Sequence, residues 1–213
     1  MTINPLKFDW KKSSKAQSFI ELTLILIVLL TLLAGMVEFG NLLNQYINLV
    51  DGAREGARFG SNDDPFESGH FEVFFAQIYE TVQGKYDTHG VQLSKGAINP
   101  ILLSKENGDD IVVTVYSVTT NAAAGTKQLV KFVSAAGSRY NNHASSFTSA
   151  EILAKVDADA PSTGLLVVEI FYNYNQILKL FSITGIPDPL LVHTYAIMPL
   201  SAAEPTPTPR PSP

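Results

Sequence analysis

The sequence predicts an α+β fold, in which one long N-terminal helix precedes an antiparallel-sheet domain with packed helices. Three observations carry this prediction. Residues 22–37 form an apolar run without a charged side chain. Apolar side chains at helical spacing continue to residue 57, and several later apolar segments are rich in β-branched residues. A helical start followed by successive strands is typical of α+β proteins.

The composition limits the functions open to the chain. It has 213 residues, 46% of them hydrophobic, which suffices for one domain with a core and an accessory segment. The net charge of −5 argues against a nucleic-acid partner. The absence of cysteine excludes disulfides and thiolate chemistry. Before residue 17 the chain has four lysines and one acid: Lys7, Lys11, Lys12, Lys15 and Asp9. This basic leader indicates a membrane-directed N-terminus.

The apolar run is long enough to be a membrane anchor. Extended to residues 19–39, it spans about 31 Å as a helix and can cross a hydrocarbon core of ~30 Å. A buried core helix would show an amphipathic stripe, which this run lacks. A cleaved signal peptide is the second alternative, although Glu21 heads the run and no good cleavage site follows it. We favour a retained anchor, with the N-terminus cytoplasmic and the body outside.

Several segments of the chain resemble one protein family. Residues 15–21 resemble a type IV prepilin processing site. Residues 37–40 and 51–60 resemble the hallmark segments of TadE-like proteins, which are minor pilin or pseudopilin components of Tad/Flp pilus systems. Residues 167–175 and 191–198 are similar to the late strands of that family. The resemblance implies a pilin-like fold.

The resemblance also implies proteolytic processing. A prepilin peptidase would cut between Ala16 and Gln17, and Glu21 would become the fifth residue of the mature chain. The family usually has glycine where this chain has Ala16. The new α-amino group of Gln17 would lie one helical turn from Glu21 and could pair with it. The resemblance implies four parts. They are a cleaved leader at 1–16, a long helix at 17–60 that spans the membrane at 19–39, an extracytoplasmic α+β domain at 61–200 and a proline-rich tail at 201–213.

The implied function is assembly of a Tad/Flp-type pilus as a minor pilin or pseudopilin. The implied partners are the membrane, a prepilin peptidase, other pilins and proteins of the secretion platform. The implied location is the bacterial plasma membrane, or the pilus after assembly. A membrane-anchored extracytoplasmic binding module that does not polymerise is the alternative, since a sheet domain and a proline-rich tail suit it equally well.

Small residues in the second half of the long helix are candidates for close packing. Gly52, Gly56 and Gly60 recur every four residues, although glycine costs roughly 1 kcal/mol against alanine in a helix. With Ala53 and Ala57 they form a smooth strip that another backbone can approach. We expect the strip to pack either on the chain's own sheet or on another subunit. The other candidate packing and assembly residues are Glu38, Gly40, Arg54, Glu55 and Arg58.

The same helix shows a regular apolar spacing from residue 39 onwards. Apolar side chains recur three and four residues apart, at Phe39, Leu43, Tyr46, Ile47, Val50, Ala53 and Ala57. Ion pairs are predicted on other faces, between Asp51 and Arg54 and between Glu55 and Arg58. These patterns predict one helix over residues 19–59, apolar first and amphipathic afterwards.

The rest of the chain is predicted to contain a second helix and several strands. An aromatic stripe with helical period predicts a helix at 66–85. Clusters of β-branched residues predict strands at 100–103, 110–119, 129–133, 164–174 and 190–200. Thr148 and Glu151 have the spacing of a capping box, which predicts a short helix after a loop at 135–147.

No constellation in the sequence points to catalysis, a cofactor or a metal. The four histidines are dispersed, without metal-ligand spacing: His70, His89, His143 and His193. The acids at 63–64, 109–110 and 157–159 could bind a hard cation weakly, but we interpret them as solvated turns. We therefore predict a protein that is not an enzyme and takes no small-molecule substrate.

Overall fold

The computed structural model shows one long helix joined to a sheet domain. It describes residues 14–66, 71–87, 89, 91–121, 126–132, 137–156, 163–179 and 185–203. The basic leader before residue 14, the acids at 157–159 and the proline-rich tail after residue 203 lie outside the described residues. The predicted α+β fold, with a long apolar helix followed by an antiparallel sheet, is confirmed.

Helix α1 (Ser14–Gly60) has 47 residues, which corresponds to a length of about 70 Å. It begins five residues before the predicted start at residue 19. Every side chain from Gln17 to Leu33 is exposed. By length and composition α1 can cross a membrane, and none of its most apolar window is buried within the chain. The N-terminal half of α1 therefore stands free of the domain.

The C-terminal half of α1 packs on the domain through its smallest side chains. Ala53 and Ala57 are fully buried, together with Leu49. Four larger apolar residues of the predicted face stay exposed: Phe39, Leu43, Tyr46 and Ile47. We call these four residues the outer stripe. The domain therefore covers only part of the predicted apolar face: its alanines are buried and its larger side chains are not. The sheet approaches the helix where the side chains are smallest.

Helix α2 (Phe71–Gln83) leads into a hairpin of strands β1 (Gly84–Tyr86) and β2 (Gln92–Lys95). The predicted aromatic stripe forms the buried face of α2, where Phe74 and Phe75 are almost completely inaccessible. The sequence does not predict the hairpin, because its strands are short and mostly polar.

The main sheet is built from four strands: β3 (Asp110–Asn121), β4 (Thr126–Phe132), β5 (Thr163–Tyr174) and β6 (Leu190–Pro199). They pair antiparallel in the order β4-β3-β5-β6. The predicted strands at 110–119, 129–133, 164–174 and 190–200 are confirmed with shifts of a few residues at their ends. Helix α1 packs across β5 and β6 on one face of this sheet.

The two faces of the sheet are covered differently. On the helix face, side chains of β3 and β5 such as Val113 and Val168 pack with α1 and α2. On the opposite face, helix α3 (Ser149–Lys155) inserts Ile152 between Tyr116 and Val167. The segment 137–148 precedes α3 and, as predicted for residues 135–147, has no regular strand or α-helix within its described part.

Two smaller predictions have opposite outcomes. The capping box is confirmed, since Thr148 Oγ1 accepts from the Glu151 amide and the Glu151 carboxylate accepts from the Thr148 amide. The strand at 100–103 is wrong. Ile101 and Leu103 belong to the core, but the backbone turns, and the Ile101 amide donates to the Ile98 carbonyl at 2.7 Å. Apolar content alone does not distinguish a buried turn from a strand.

Helix α1 runs antiparallel to β5. Gly60 lies against Leu166 near the start of β5, and Glu38 contacts Tyr174 at its end. The free half of α1 therefore leaves the domain where β5 ends and β6 begins. We call this edge, marked by Tyr174 and Leu190, the exit end of the domain.

Candidate functional site

Glu38 lies at the exit end and joins α1 to the segment that follows β5. Its side chain is fully buried. Oε1 accepts hydrogen bonds from the Tyr174 hydroxyl at 2.6 Å and from the Ile177 amide at 2.9 Å. Oε2 accepts one from the Leu178 amide at 2.7 Å. A buried carboxylate without donors would be strongly destabilising, and these charge-assisted bonds satisfy it.

Tyr174 links Glu38 to a second residue of the helix. Asn41 lies one turn after Glu38 and donates to the Tyr174 hydroxyl oxygen at 3.0 Å. Burial, reinforced by the hydrogen bond to Glu38, raises the pKa of Tyr174 to about 12. The phenol therefore keeps its proton, and remains a donor to Glu38, well above neutral pH. We call Glu38, Asn41 and Tyr174, with the amides of Ile177 and Leu178, the exit cluster.

The segment after the exit cluster is braced against the start of β6. The Gln176 amide donates to Asp188 Oδ1 at 3.1 Å, and Gln176 Nε2 donates to the Pro187 carbonyl at 3.0 Å. Lys179 Nζ lies 3.7 Å from Asp188 Oδ2. The two ends of the connection between β5 and β6 are thus tied together beside the helix.

The sequence identifies Glu38 only through a hallmark segment and gives no partner for it. Tyr174 is 136 residues away, so no short-range spacing connects the two. The available signal is a carboxylate placed directly after an apolar run. Such a charge needs donors when it is buried, and this requirement predicts a partner without naming it.

The glycine strip of α1 lies against the chain's own domain. A Cβ at Gly52 would overlap the Ile98 side chain, and one at Gly56 would lie 2.6 Å from Val82 Cγ2. Gly60 is enclosed in the same way. Side chains at these positions would push α2 and the sheet away from the helix backbone. The structure thus shows the intramolecular packing, which is one of the two alternatives for this strip.

The remaining candidate packing residues lie on open surface. A Cβ at Gly40 would meet no atom within 4 Å. The predicted ion pairs are present, with Arg54 Nη1 3.6 Å from Asp51 Oδ1 and Arg58 Nε donating to Glu55 Oε2 at 2.9 Å. The hydrogen bond from Arg58 lowers the pKa of Glu55. Exposed pairs of this kind contribute little to stability, so their residues are not needed to hold the fold.

The predicted processing residues lie in the first turns of α1. Gln17 and Glu21 are exposed and are separated by about one helical turn. Ala16 also lies within the helix. None of the three is brought close to the exit cluster, which lies more than four turns further along α1.

A second polar cluster lies on the sheet face opposite α1. Glu169 is fully buried, and its Oε1 accepts from the Ser146 hydroxyl at 2.5 Å and lies 3.1 Å from His193 Nε2. The rings of His143 and His193 stack on Phe171 with centroid distances of 4.3 and 4.5 Å. These histidines look dispersed in the sequence, because the pairing of Phe171 with His193 across β5 and β6 is not visible in a spacing.

This second cluster does not have the geometry of a catalytic triad. Ser146 and His193 approach the same oxygen of Glu169, whereas in a triad the carboxylate and the nucleophile occupy opposite nitrogens of the imidazole. The Ser146 amide also donates to that oxygen, at 3.0 Å. In the part of the chain that the structure describes, no group of three or more histidine and acidic residues could hold a metal ion. The cluster fastens the segment 137–148 to the sheet.

The interpretation of Asp109 and Asp110 as a solvated turn is wrong. Both are fully buried. Asp110 Oδ2 accepts from the Ser138 hydroxyl at 2.6 Å and from the amides of Asn142 and His143 at 2.8 and 2.9 Å. Asp109 accepts hydrogen bonds from the backbone amides of Ser104 and Asn173. The two carboxylates replace missing backbone partners in irregular segments, a role that needs the folded chain to be seen.

The fold and the exit cluster define a class of protein: a single long apolar helix whose C-terminal half is built into an α+β domain and whose N-terminal half is free. A family model described as TadE-like protein matches residues 16–58. This match confirms the resemblance predicted from the sequence, over the segment that forms most of α1. It indicates involvement in a Tad pilus system, with the N-terminal helix as the anchor. No curated protein and no solved structure matches the chain.

Proposed function

We propose that the protein is a minor pilin or pseudopilin that takes part in assembly of a Tad/Flp-type pilus. One observation carries the proposal. The TadE-like match falls on a helix whose exposed apolar surface continues past the length that a bilayer covers. The proposed role is structural and does not involve catalysis.

The free half of α1 supports a membrane anchor of ordinary length. We shorten the span predicted at residues 19–39 to residues 19–37, because Glu38 is buried in the domain. Residues 19–37 rise about 28 Å along the helix, close to the ~30 Å of a hydrocarbon core. Glu21 would lie near one boundary, and Glu38 at the other is already satisfied inside the domain. The lysines before residue 17 favour a cytoplasmic N-terminus, so the domain would face the outside of a bacterial plasma membrane.

The outer stripe supports contact with other pilins after the helix leaves the membrane. Leu43, Tyr46 and Ile47 are 45–50% exposed although they lie beside the buried face of α1. Large apolar residues in a row on one helix are typical of a helix-packing surface. A neighbouring helix in a pilus or an assembly complex would cover them.

The processing step is tested by determining the N-terminus of the native protein. We expect intact mass and N-terminal sequencing to give a mature chain beginning at Gln17. Ala16→Leu should block cleavage, because the peptidase accepts a small residue before the cut, whereas the matched variant Ala16→Gly should be cleaved. A native chain that still begins at Met1 would contradict the processing step.

The pilus role is tested by purifying the full chain from its native membrane under mild conditions. Other pilins or proteins of the secretion platform should co-purify. An anchored binding module that does not polymerise predicts that none of these proteins is recovered. Recovery of these proteins does not depend on cleavage, so this experiment distinguishes the proposal from its alternative even if the chain is not processed.

A further inference from the structure

We propose that the connection between β5 and β6 makes a second membrane contact through three of its described residues, Ile177, Leu178 and Ile186, which enter the boundary between lipid headgroups and acyl chains. The inference rests on the proposed anchoring of α1 in a bilayer. The three side chains are 61%, 45% and 38% exposed. The occupant that we propose for this apolar surface is lipid.

The exit cluster fixes the height of this segment relative to the membrane. The amides of Ile177 and Leu178 bond directly to the Glu38 carboxylate, at 2.9 and 2.7 Å. Glu38 follows the proposed span of residues 19–37, so it lies at the outer edge of the hydrocarbon core. Backbone atoms that bond to Glu38 must lie at the same depth. The side chains of Ile177 and Leu178 therefore start from the membrane boundary.

The orientation of the domain relative to α1 also places this segment at the membrane boundary. Because α1 runs antiparallel to β5, the end of β5 and the start of β6 face the membrane. Leu191, at the start of β6, is also an exposed apolar residue at this end, with 49% of its surface accessible. The bonds from Gln176 to Pro187 and Asp188 hold the residue after Ile186 near the end of β5. The apolar surface is thus continuous with the exit end of the domain.

The charges at this surface favour insertion of apolar groups over attraction to anionic lipid. After the first 16 residues the chain has 11 basic and 19 acidic residues (15 − 4 and 20 − 1), a net charge of −8. Lys179, the exposed cation of the segment, is paired with Asp188. A net negative domain is repelled by anionic headgroups, so burial of side chains must supply the contact. The contact should therefore persist at high salt.

Spin labelling tests the inference directly, because the chain has no cysteine and each introduced thiol is unique. The full chain is placed in vesicles of phosphatidylethanolamine and phosphatidylglycerol with a nitroxide at Leu178→Cys. Accessibility to oxygen and to a water-soluble nickel complex gives the depth of the label. Ile25→Cys, in the middle of the proposed span, is the control for the anchor. Val130→Cys is the matched exposed control, because Val130 lies at the end of the sheet away from the exit end. Val130 pairs with Ser117, and Ser117 pairs with Gly164 at the start of β5.

We expect the label at Leu178 to lie about 5–10 Å inside the boundary, with oxygen favoured over the nickel complex, at low and high salt alike. The label at Val130 should be fully aqueous. A Leu178 label as aqueous as that at Val130 overturns the inference, and a deep label at Ile25 in the same experiment shows that the anchor itself stands. A Leu178 label shielded from both reagents also overturns it, because protein rather than lipid would then cover the segment. An aqueous label at Ile25 removes the anchor, and the inference with it.

Discussion

A single carboxylate, Glu38, holds together two parts of the chain that are far apart in sequence. Its oxygens are buried and receive donors from Tyr174 and from two backbone amides. Hydrogen bonds to charged groups contribute about 1.5–3 kcal/mol, and a buried donor left unpaired costs about 1–3 kcal/mol. Removing the charge therefore affects the segment after β5 more than the helix, which keeps its own backbone bonds.

This asymmetry gives a prediction for Glu38→Gln. The side-chain nitrogen of glutamine is itself a donor and would face the donors that now bond to Glu38. At least one of these hydrogen bonds is therefore lost. Hydrogen exchange of the Ile177 and Leu178 amides should become about tenfold faster or more. Glu55→Gln, which removes an exposed partner of Arg58, is the matched control and should leave the exchange at these amides unchanged. Equal exchange in the two variants would mean that Glu38 does not hold the segment.

Tyr174 gives the exit cluster a dependence on alkaline pH. Its pKa is raised to about 12 in the folded protein, first by burial and then by the bond to Glu38, against about 10 in the unfolded chain. Below pH 10 both states keep the proton, and the stabilisation is fully present. Between about pH 10 and 12 the unfolded state loses its proton first, so stability falls as pH rises.

The prediction is that the folded wild type ionises one more tyrosine near pH 12 than Tyr174→Phe does, measured by tyrosinate absorbance. The free energy of unfolding should fall less steeply over the same window in that variant. The full chain in detergent micelles serves for both measurements. A component for this tyrosine near pH 10 in the folded wild type would contradict the buried position of its hydroxyl.

At the scale of elements, α1 contains two kinds of glycine. Those of the glycine strip are packed against the domain, and Gly40 is not. Gly52 is closed by Ile98, whereas Gly40 is open to solvent. Both lie inside the same helix, so both lose roughly 1 kcal/mol of helix propensity relative to alanine. Only the packing at the two sites differs, which makes the pair a matched test of the glycine strip.

We predict that Gly52→Ala destabilises the protein by about 1–2 kcal/mol, because the strain of forcing Ile98 aside exceeds the gain in helix propensity. Gly40→Ala should be neutral or more stable by up to about 1 kcal/mol. Denaturant unfolding of the full chain in detergent, followed by circular dichroism, measures both. Equal stability of the two variants would show that the domain does not pack closely on the strip.

The elements that the sequence predicts are those decided by a local pattern. The apolar run and the helical spacing define α1, and alternation of β-branched residues defines β3 and β5. The irregular segment around Ile101 has similar apolar content, and only its burial between other elements decides that it turns. The hairpin of β1 and β2 is too short for any period to appear.

The candidate site divides in the same way. The processing residues Ala16, Gln17 and Glu21 are predicted from a contiguous motif and stay a prediction. The exit cluster depends on a contact between Glu38 and Tyr174 across 136 residues. Local sequence predicts that a charge after an apolar run needs a partner, and only the folded chain supplies it.

At the scale of the whole molecule, α1 has two environments and the domain accounts for only one of them. Its C-terminal half is covered along the glycine strip, and the outer stripe beside it is not. An apolar surface that stabilises nothing within its own chain is a liability in water unless a partner covers it. Stability and assembly should therefore be separable at the outer stripe, unlike at Glu38 or Gly52.

The double variant Leu43→Gln with Ile47→Gln tests this separation. Glutamine keeps helix propensity, and both residues are about half exposed, so the unfolding free energy should change by no more than about 0.5 kcal/mol for each substitution. Recovery of pilus or secretion-platform proteins with the chain should be lost. The matched variant, Leu93→Gln with Val130→Gln, removes exposed apolar residues from strands β2 and β4, and should leave both stability and recovery unchanged. Normal recovery with the α1 variant would mean that the outer stripe is not an assembly surface. Loss of recovery with the β-strand variant as well would mean that assembly depends on surface hydrophobicity in general and not on this helix.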